Sequence, residues 1–360
     1  MTDGAFRHGL LPHALCALRD HLLLTSGEDL VIAWDETVSR ELYHALRDAA
    51  TFLGNRVTCM VYEPVAYRDI REYGRFAGRS IAKPLLLPRP LRGALSGCDA
   101  FVLVCSDTEL LFSPDLRTIL QEGRRGVFMP YLSASNARRM LMTSSQEVRA
   151  QADAIAATAA RLTNGSEIHV TSQAGTDLHL ALGQYPLLQR TGIVGPGELL
   201  ILPPGNVAQV PNDGTVKGRL VVDRTVCADD YKRLSEPIVL DVEEGTVVSV
   251  QGGTDARQLR EFLESFEDER AFHLTELGIG TNPQCKFSGV GAPAEDTHIA
   301  GTVAFAVGCD THIGGVTPGP CHVDMTMWYP SLSVDGIPLV EGGHLVAGPP
   351  APGSLGTTYP

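Results

Sequence analysis

The stretch that decides the second half of the fold begins with HLTELGIG at residues 273–280 and ends with CHVD at residues 321–324. His322 and Asp324 are two residues apart, so in a β-strand their side chains project from the same face. Glu276 stands just before two glycines spaced for a sharp bend of the backbone. The pattern predicts neighbouring β segments whose polar side chains gather at one point.

The residue types at this point are those that bind divalent metals. Glu276, His322 and Asp324 supply one imidazole and two carboxylates, and His273 would add a second imidazole if it joined them. Such sets suit a hard or borderline ion such as Fe(II), Mn(II) or Zn(II). The alternative is that His-x-Asp is only a surface pair on an exposed strand.

Length and composition indicate a large globular protein. The 360 residues, 44% hydrophobic and 20% charged, are enough for two domains. The net charge of −13 argues against a nucleic-acid partner, because phosphate binding needs clustered Lys and Arg. The eight cysteines include no Cys-x-x-Cys pair, which argues against a zinc ribbon or a redox dithiol. With no signal-peptide pattern and no apolar run of bilayer length, we expect a cytoplasmic protein without a membrane segment.

The first half alternates strands with helices. Buried-strand patterns at residues 29–35, 56–62, 99–106 and 126–132 are separated by helical patterns, which predicts a parallel sheet covered by helices. No Gly-x-Gly-x-x-Gly follows the first strand, and no Walker motif is present. We therefore expect a Rossmann-like α/β domain over residues 1–150 that binds no dinucleotide. A long loop is expected over residues 67–92.

The second half is mainly antiparallel β. One long helix is expected over residues 136–164, with the domain boundary along it, and a single further helix over residues 255–266. Short strand patterns separated by Pro, Gly and Asn turns predict a β-rich, metal-binding catalytic domain over residues 151–360, a barrel or a sandwich. The predicted strands lie at residues 167–171, 176–182, 198–202, 216–223, 237–242 and 246–252, with a hairpin at 332–340 and an extended tail from residue 348.

These blocks resemble a family with two branches, the aminopeptidase T-like metallopeptidases and 2,5-dihydroxypyridine 5,6-dioxygenase, a mononuclear non-haem iron enzyme that opens a pyridine ring. AGTDL at residues 174–178 is similar to both branches. ELGIGTNP at residues 276–283 resembles the peptidase branch. LGQYP at residues 182–186, and GG followed by PCHVD at residues 314–315 and 320–324, resemble the dioxygenase.

The resemblance also assigns the ligands. The two-metal site of the peptidases would need a Glu and a His where this chain has Asn206 and Ala304. A single-metal site remains, with Glu276, His322 and Asp324 as the ligands. When the glycines after Glu276 are aligned with those of the family, the third ligand of the dioxygenase corresponds to Glu276. If the chain is instead shifted by nearly one helical turn, this third ligand corresponds to His273.

The resemblance implies an Fe(II) ring-cleaving dioxygenase that acts on a small aromatic or heteroaromatic diol, or a related natural-product intermediate, with O2. His273 or His312 would transfer a proton. Where the dioxygenase has a pocket histidine this chain has Phe112, which leaves the particular substrate open.

Two alternatives stay open. One is a Zn- or Mn-dependent aminopeptidase or amidase, with Glu295 or His273 as general base. The other is a non-catalytic family member that binds a ligand. Kinship implies a homodimer or larger homo-oligomer.

Overall fold

The computed structural model describes residues 3–35, 39–62, 86–105, 110–111, 113–130, 132–162, 167–227, 231–287 and 293–346. The loop expected at 67–92 lies mostly outside these residues, and Phe112 and the tail from residue 348 lie wholly outside them. Within the described chain, no helix is both long and apolar enough to cross a membrane.

The secondary structure alternates in the first half and is mostly β in the second. The helices are α1 (Asp3–Cys16), α2 (Arg40–Phe52), α3 (Arg89–Gly97), α4 (Pro114–Gln121), α5 (Ala134–Met140), α6 (Ser145–Leu162), α7 (Thr254–Glu264) and α8 (Pro293–His298). The strands are β1 (Asp29–Asp35), β2 (Arg56–Tyr62), β3 (Ala100–Cys105), β4 (Arg125–Pro130), β5 (Glu167–Thr171), β6 (Asp177–Ala181), β7 (Leu188–Gln189), β8 (Leu199–Ile201), β9 (Asn206–Gln209), β10 (Lys217–Val222), β11 (Thr225–Cys227), β12 (Tyr231–Arg233), β13 (Ile238–Glu243), β14 (Thr246–Gly252), β15 (Leu274–Gly280), β16 (Val303–Gly308), β17 (His322–Thr326), β18 (Ser331–Val334), β19 (Ile337–Glu341) and β20 (His344–Leu345).

The first sheet is parallel, in the order β2-β1-β3-β4-β8. Both of its faces are buried, as a parallel sheet requires. One face packs against α1, α2 and α5, and the other against α3 and α4. The Rossmann-like scaffold predicted for the first half is confirmed.

The last strand of this sheet, β8, comes from the second half of the chain. The prediction that residues 198–202 belong to the antiparallel set is wrong, because β8 pairs parallel to β4. Leu200 packs into the core on one face of the parallel sheet and Ile201 into the core on the other. Burial on both faces is the property that β8 shares with its neighbour β4.

The long helix expected over residues 136–164 is in fact two helices, α5 and α6. A capping box starts the second one: the amide of Glu147 donates to the Ser144 hydroxyl, while the Glu147 carboxylate accepts from the amides of Thr143 and Ser144. The side-chain bonds satisfy backbone groups that a continuous helix would have used, so the chain breaks there.

The second half folds into two antiparallel sheets that face each other. The first sheet has the order β14-β13-β10-β6-β5-β18-β19-β20, and the second has the order β12-β11-β17-β16-β15-β9-β7. One continuous apolar core lies between them. Of the two predicted alternatives, a barrel or a sandwich, the second half forms the sandwich. The predicted fold class of an α/β domain plus an antiparallel β domain is confirmed.

Candidate metal centre

The outer face of the second sheet carries the acidic residues of the predicted site. Leu277 and Ile279 of β15 point into the sandwich core, so Glu276 points outward. A β-bulge between Leu274 and Glu276 sets this alternation. Bulges of this kind redirect side chains beside functional sites.

The strands bring Glu276 and Asp324 to the same row of the sheet. Glu276 pairs with Ala306 of β16, and Ala306 pairs with Asp324 of β17. His322 lies one step along the same face, opposite Gly308. The residues of β16 between Glu276 and the pair His322 and Asp324 are Ala306 and Gly308. Because these residues are small, space remains above the sheet for the longer side chains to converge.

Three side chains converge closely enough to hold one ion. Ligand atoms of Glu276, His312 and His322 all lie within 4.8 Å of one another. Oε2 of Glu276 is 3.6 Å from Nε2 of His322 and 3.9 Å from Nε2 of His312. Oδ1 of Asp324 is 3.5 Å from Nε2 of His322.

These separations fit a metal. Ligands bonded at about 2.1 Å lie roughly 3.0–3.5 Å apart around one ion, so small side-chain movements would complete the shell. Two imidazoles with carboxylates and open positions are the donor set of non-haem Fe(II) sites. Asp324 is the most accessible of the four, with a side chain that is 30% exposed, against 9–12% for the other three.

The backbone fixes the orientation of His322. Nδ1 of its ring donates a hydrogen bond of 2.8 Å to the carbonyl oxygen of Cys309, which leaves Nε2 facing Glu276 and Asp324. Such a bond sets the tautomer and ring direction of metal-binding histidines. Burial works against protonation, but Asp324 and Glu276 outweigh it and raise the His322 pKa to about 9.

His312 reaches the centre from a loop. It lies in a short 3₁₀ turn, Thr311–Ile313, after β16. Asp310 holds that loop: its carboxylate accepts from the Thr317 amide at 2.7 Å, and its carbonyl oxygen accepts from Ile313 and Gly315. A β-carbon on Gly315 would overlap the Asp310 carboxylate, so a larger residue there would displace that carboxylate from its bond with Thr317. The ring of His312 meets that of His322 edge-on, with centroids 4.5 Å apart.

Burial dominates the electrostatics of the centre. It raises the pKa of Glu276, and Asp324 adds to this effect, whereas His322 and Arg190 oppose it. It lowers the pKa of His312 well below the ordinary value, and the neighbouring His322 and Arg190 lower it further. His312 is therefore a neutral imidazole near pH 7, the form that binds metals.

Two further residues beside the centre, Arg190 and Asn206, are not among the predicted site residues. From the sequence, Asn206 stands out only as a departure from the peptidase branch. The charge of Arg190 acts on both Glu276 and Asp324, and its amide donates to the carbonyl oxygen of Asn206. Among the described residues, the buried Nε of Arg190 and the buried Oδ1 of Asn206 have no hydrogen-bond partner. The Asn206 amide lies beside Gly278, next to Glu276. No motif marks Arg190, so only the fold reveals it.

Two other predicted residues lie elsewhere. His273 precedes β15, forms a bridge with Thr246 of β14, and lines a surface groove with residues of β14 and α7. Glu295 of α8 is fully buried, and its carboxylate is held by Arg139 and by the amide of Lys286. The structure therefore brings Glu276, His312, His322 and Asp324 together without His273 or Glu295.

The profile of the 2,5-dihydroxypyridine 5,6-dioxygenase family matches residues 16–347. The chain belongs to this family. A curated 2,5-dihydroxypyridine 5,6-dioxygenase from Pseudomonas putida is 28% identical over 258 residues, which span 69% of this chain and 72% of that protein. Membership confirms the predicted class of enzyme, a dioxygenase-type oxidoreductase that uses a small molecule and O2, and it supports metal binding.

Two solved structures share the whole architecture. The 2,5-dihydroxypyridine dioxygenase of Pseudomonas putida superposes with a TM-score of 0.75 at 22% identity, covering 97% of this chain and 99% of that one. AmpT from Thermus thermophilus superposes with a TM-score of 0.67 at 18% identity, covering 95% and 100%. Both branches named from the sequence therefore have this fold.

Proposed function

We propose that this member of the family is a mononuclear Fe(II) dioxygenase that opens the ring of a small aromatic or heteroaromatic diol. The observation that carries the proposal is the convergence of Glu276, His312 and His322 around one point, with Asp324 beside His322. The relative from Pseudomonas putida, which is named for its action on 2,5-dihydroxypyridine, supports a hydroxypyridine-like substrate.

We propose Glu276 and His322 as ligands, whether Asp324 or His312 is the third. Asp324 is the ligand inferred from the sequence, and His312 is the residue that the fold adds. Both flank His322, at the distances given above. Bound Fe(II) would supply the one-electron chemistry that lets an organic ring react with O2. The chain itself supplies the geometry and a partly closed, low-dielectric pocket.

The charges favour an anionic substrate. A divalent ion balances Glu276 and Asp324, so the cation of Arg190 leaves the centre with a net positive charge. The unpartnered Nε of Arg190 and Oδ1 of Asn206 are a donor and an acceptor that a substrate would satisfy. Leaving such groups unpaired is costly, which makes them selective for a ligand that pairs them. We therefore propose a ring bearing an ionised hydroxyl or a carboxylate.

From the sequence, His312 and His273 are both candidates for proton transfer. Because burial lowers the pKa of His312 and its Nε2 lies 3.9 Å from Oε2 of Glu276, we assign His312 to the ligand shell. His273 lies on a separate groove, so its position supports a structural role in joining β14 to β15. In the arrangement in which His312 is the third ligand, Asp324 lies partly exposed beside His322 and is placed to receive a proton from a bound hydroxyl.

A metal-dependent hydrolase is the second candidate, because AmpT shares the fold. Asn206 and Ala304 argue against it. A buried amide and a methyl group stand where the resemblance requires two further ligands, so a two-ion clamp lacks donors. Three side chains that converge on one point, with Asp324 beside His322, support a single ion.

The test is anaerobic purification, metal analysis and reconstitution with Fe(II), followed by oxygen consumption with a panel of hydroxypyridines and catechol-like acids. We expect about one iron per chain and substrate-dependent oxygen uptake that His322→Ala abolishes while its circular dichroism stays unchanged. Peptide hydrolysis with Zn(II) or Mn(II) and no oxygen uptake with any ring would reject the proposal. Normal turnover by His322→Ala would reject the site.

For the assembly, we propose a homodimer or larger homo-oligomer in the cytoplasm, on the basis of kinship alone. Size-exclusion chromatography with light scattering measures the mass directly. A mass of 38.6 kDa would identify a monomer and refute this part of the proposal.

A further inference from the structure

A second cluster of metal-binding side chains lies on the other sheet of the sandwich. Nε2 of His169 is 2.8 Å from Oδ1 of Asp177, and Nε2 of His179 is 3.6 Å from the same oxygen. One ligand atom from each residue lies within 4.8 Å of the other two. The two imidazole rings are stacked, with centroids 4.1 Å apart and planes within 7°.

The hairpin of β5 and β6 fixes this arrangement. His169 and His179 are directly opposite each other in the register, and Asp177 lies two residues before His179 on the same face. The turn is closed because the amides of Gly175 and Thr176 donate to Ser172. A slip of β6 by one residue would turn Asp177 and His179 toward the core.

Buried Thr176 further anchors the hairpin. Its hydroxyl accepts from the amide of Val221 at 3.0 Å and donates to the carbonyl oxygen of the same residue at 3.3 Å. Thr176 thus ties β6 to β10, and the next residue, Asp177, is left on the solvent side. The AGTDL block at residues 174–178 therefore presents a carboxylate on a rigid strand.

The cluster is separate from the buried centre. Leu178 and Leu180 alternate with Asp177 and His179 along β6 and point into the sandwich core. Glu276 and His322 face outward from the opposite sheet. The apolar core thus lies between the two groups, and the two cannot share an ion.

The surroundings leave the cluster open to a cation. Lys217 of β10 pairs with His179 and Arg219 pairs with Asp177, so two positive side chains are near. Arg219 is neutralised by Asp241, to which its Nε donates at 3.0 Å. The negative charge of Asp177 then roughly balances the positive charge of Lys217. The two imidazoles therefore decide which cation the site prefers.

We propose that His169, Asp177 and His179 form a second, solvent-exposed site for a borderline divalent cation, Zn(II) or Cu(II). Imidazole nitrogen binds these ions in preference to Mg(II) or Ca(II), and Cu(II) binds more tightly than Zn(II). Three protein ligands leave water or an external ligand to complete the shell. The site is thus open, unlike the closed four-ligand sites that stabilise small domains.

Zn(II) titration by calorimetry tests the site in four proteins: the wild type, His179→Gln, His322→Ala and His344→Gln. His344 is an exposed histidine on β20 of the same sheet, which makes it the matched control. We expect His179→Gln to lose one equivalent of bound Zn(II), His322→Ala to keep that equivalent, and His344→Gln to match the wild type.

Cu(II) electron paramagnetic resonance gives a second readout in the His322→Ala background. The proposal predicts hyperfine coupling from two imidazole nitrogens, reduced to one when His169 or His179 is replaced by Gln. Equal Zn(II) binding by the wild type and His179→Gln would overturn the proposal. Loss of all Zn(II) binding in His322→Ala would also overturn it, because every bound ion would then belong to the buried centre.

Discussion

The Arg139–Glu295 ion pair joins the two halves of the protein and gives a quantitative prediction. Nε of Arg139 donates to Oε1 of Glu295 at 3.0 Å, and Nη2 donates to both carboxylate oxygens at 2.6 and 2.7 Å. The Glu295 side chain is 0% exposed and that of Arg139 is 33% exposed. Replacing Arg139 with Met leaves a buried carboxylate for which the part of the chain that the structure describes supplies one remaining donor, the amide of Lys286.

The expected loss is large. Removing one partner of a buried ion pair lowers the free energy of unfolding by about 3–5 kcal/mol. Because Arg139 is partly exposed, we expect a loss of about 3 kcal/mol, at the lower end of this range. With an m-value of about 3 kcal/mol per molar urea, the unfolding midpoint should fall by about 1 M. Replacing both residues with Met removes the uncompensated charge, so the double variant should recover most of that loss.

Urea unfolding followed by circular dichroism measures these differences. Arg149→Met is the matched control, because Arg149 is an exposed arginine on α6 and its loss should change the free energy of unfolding by less than about 0.5 kcal/mol. An Arg139→Met variant as stable as the control would refute the reasoning. A Glu295→Gln variant that keeps wild-type stability but loses turnover would instead assign Glu295 to catalysis.

Three further predictions concern other parts of the fold. Gly308→Ala places a methyl group against the carbonyl oxygen of Cys321 at a φ of +105°, so we expect a loss of about 2 kcal/mol and weaker Fe(II) binding, measured by unfolding and calorimetry. Burial lowers the pKa of His21 below 6.5, although its bond to Gly192 opposes this shift. The unfolded chain therefore binds the extra proton, and the stability contributed by neutral His21 is lost as pH falls below 6.5. From pH 7 to 5.5 the wild type should lose more of its free energy of unfolding than His21→Asn does, and equal losses would contradict this. Arg190→Gln should raise KM for anionic substrates more than Arg190→Lys does, and equal KM values would remove Arg190 from substrate binding.

Several features could be read from the sequence because they depend on local periodicity. The alternation of Leu277 and Ile279 with Glu276 predicts which side chains leave the core of β15. The two-residue spacing of His322 and Asp324 predicts their common face. The strand and helix alternation of the first half predicts its parallel sheet. In each case the signal lies in the local order of residues or of neighbouring elements along the chain.

Other features depend on contacts between distant segments. The pattern of β8 suits either an antiparallel sheet or the edge of a parallel one, and its pairing with β4 decides between them. His312 enters the centre because Asp310 and Gly315 fold its loop, a geometry that no periodicity encodes. Arg190 lies in a segment without a motif, so its burial beside Glu276 follows only from the tertiary structure.

Anomalous diffraction at the iron edge, from crystals soaked anaerobically with Fe(II), tests the metal centre most directly. The account predicts one peak bounded by Glu276, His312, His322 and Asp324, and no peak in crystals of His322→Ala. Two adjacent peaks at this position, or a peak that these four side chains do not contact, would contradict it.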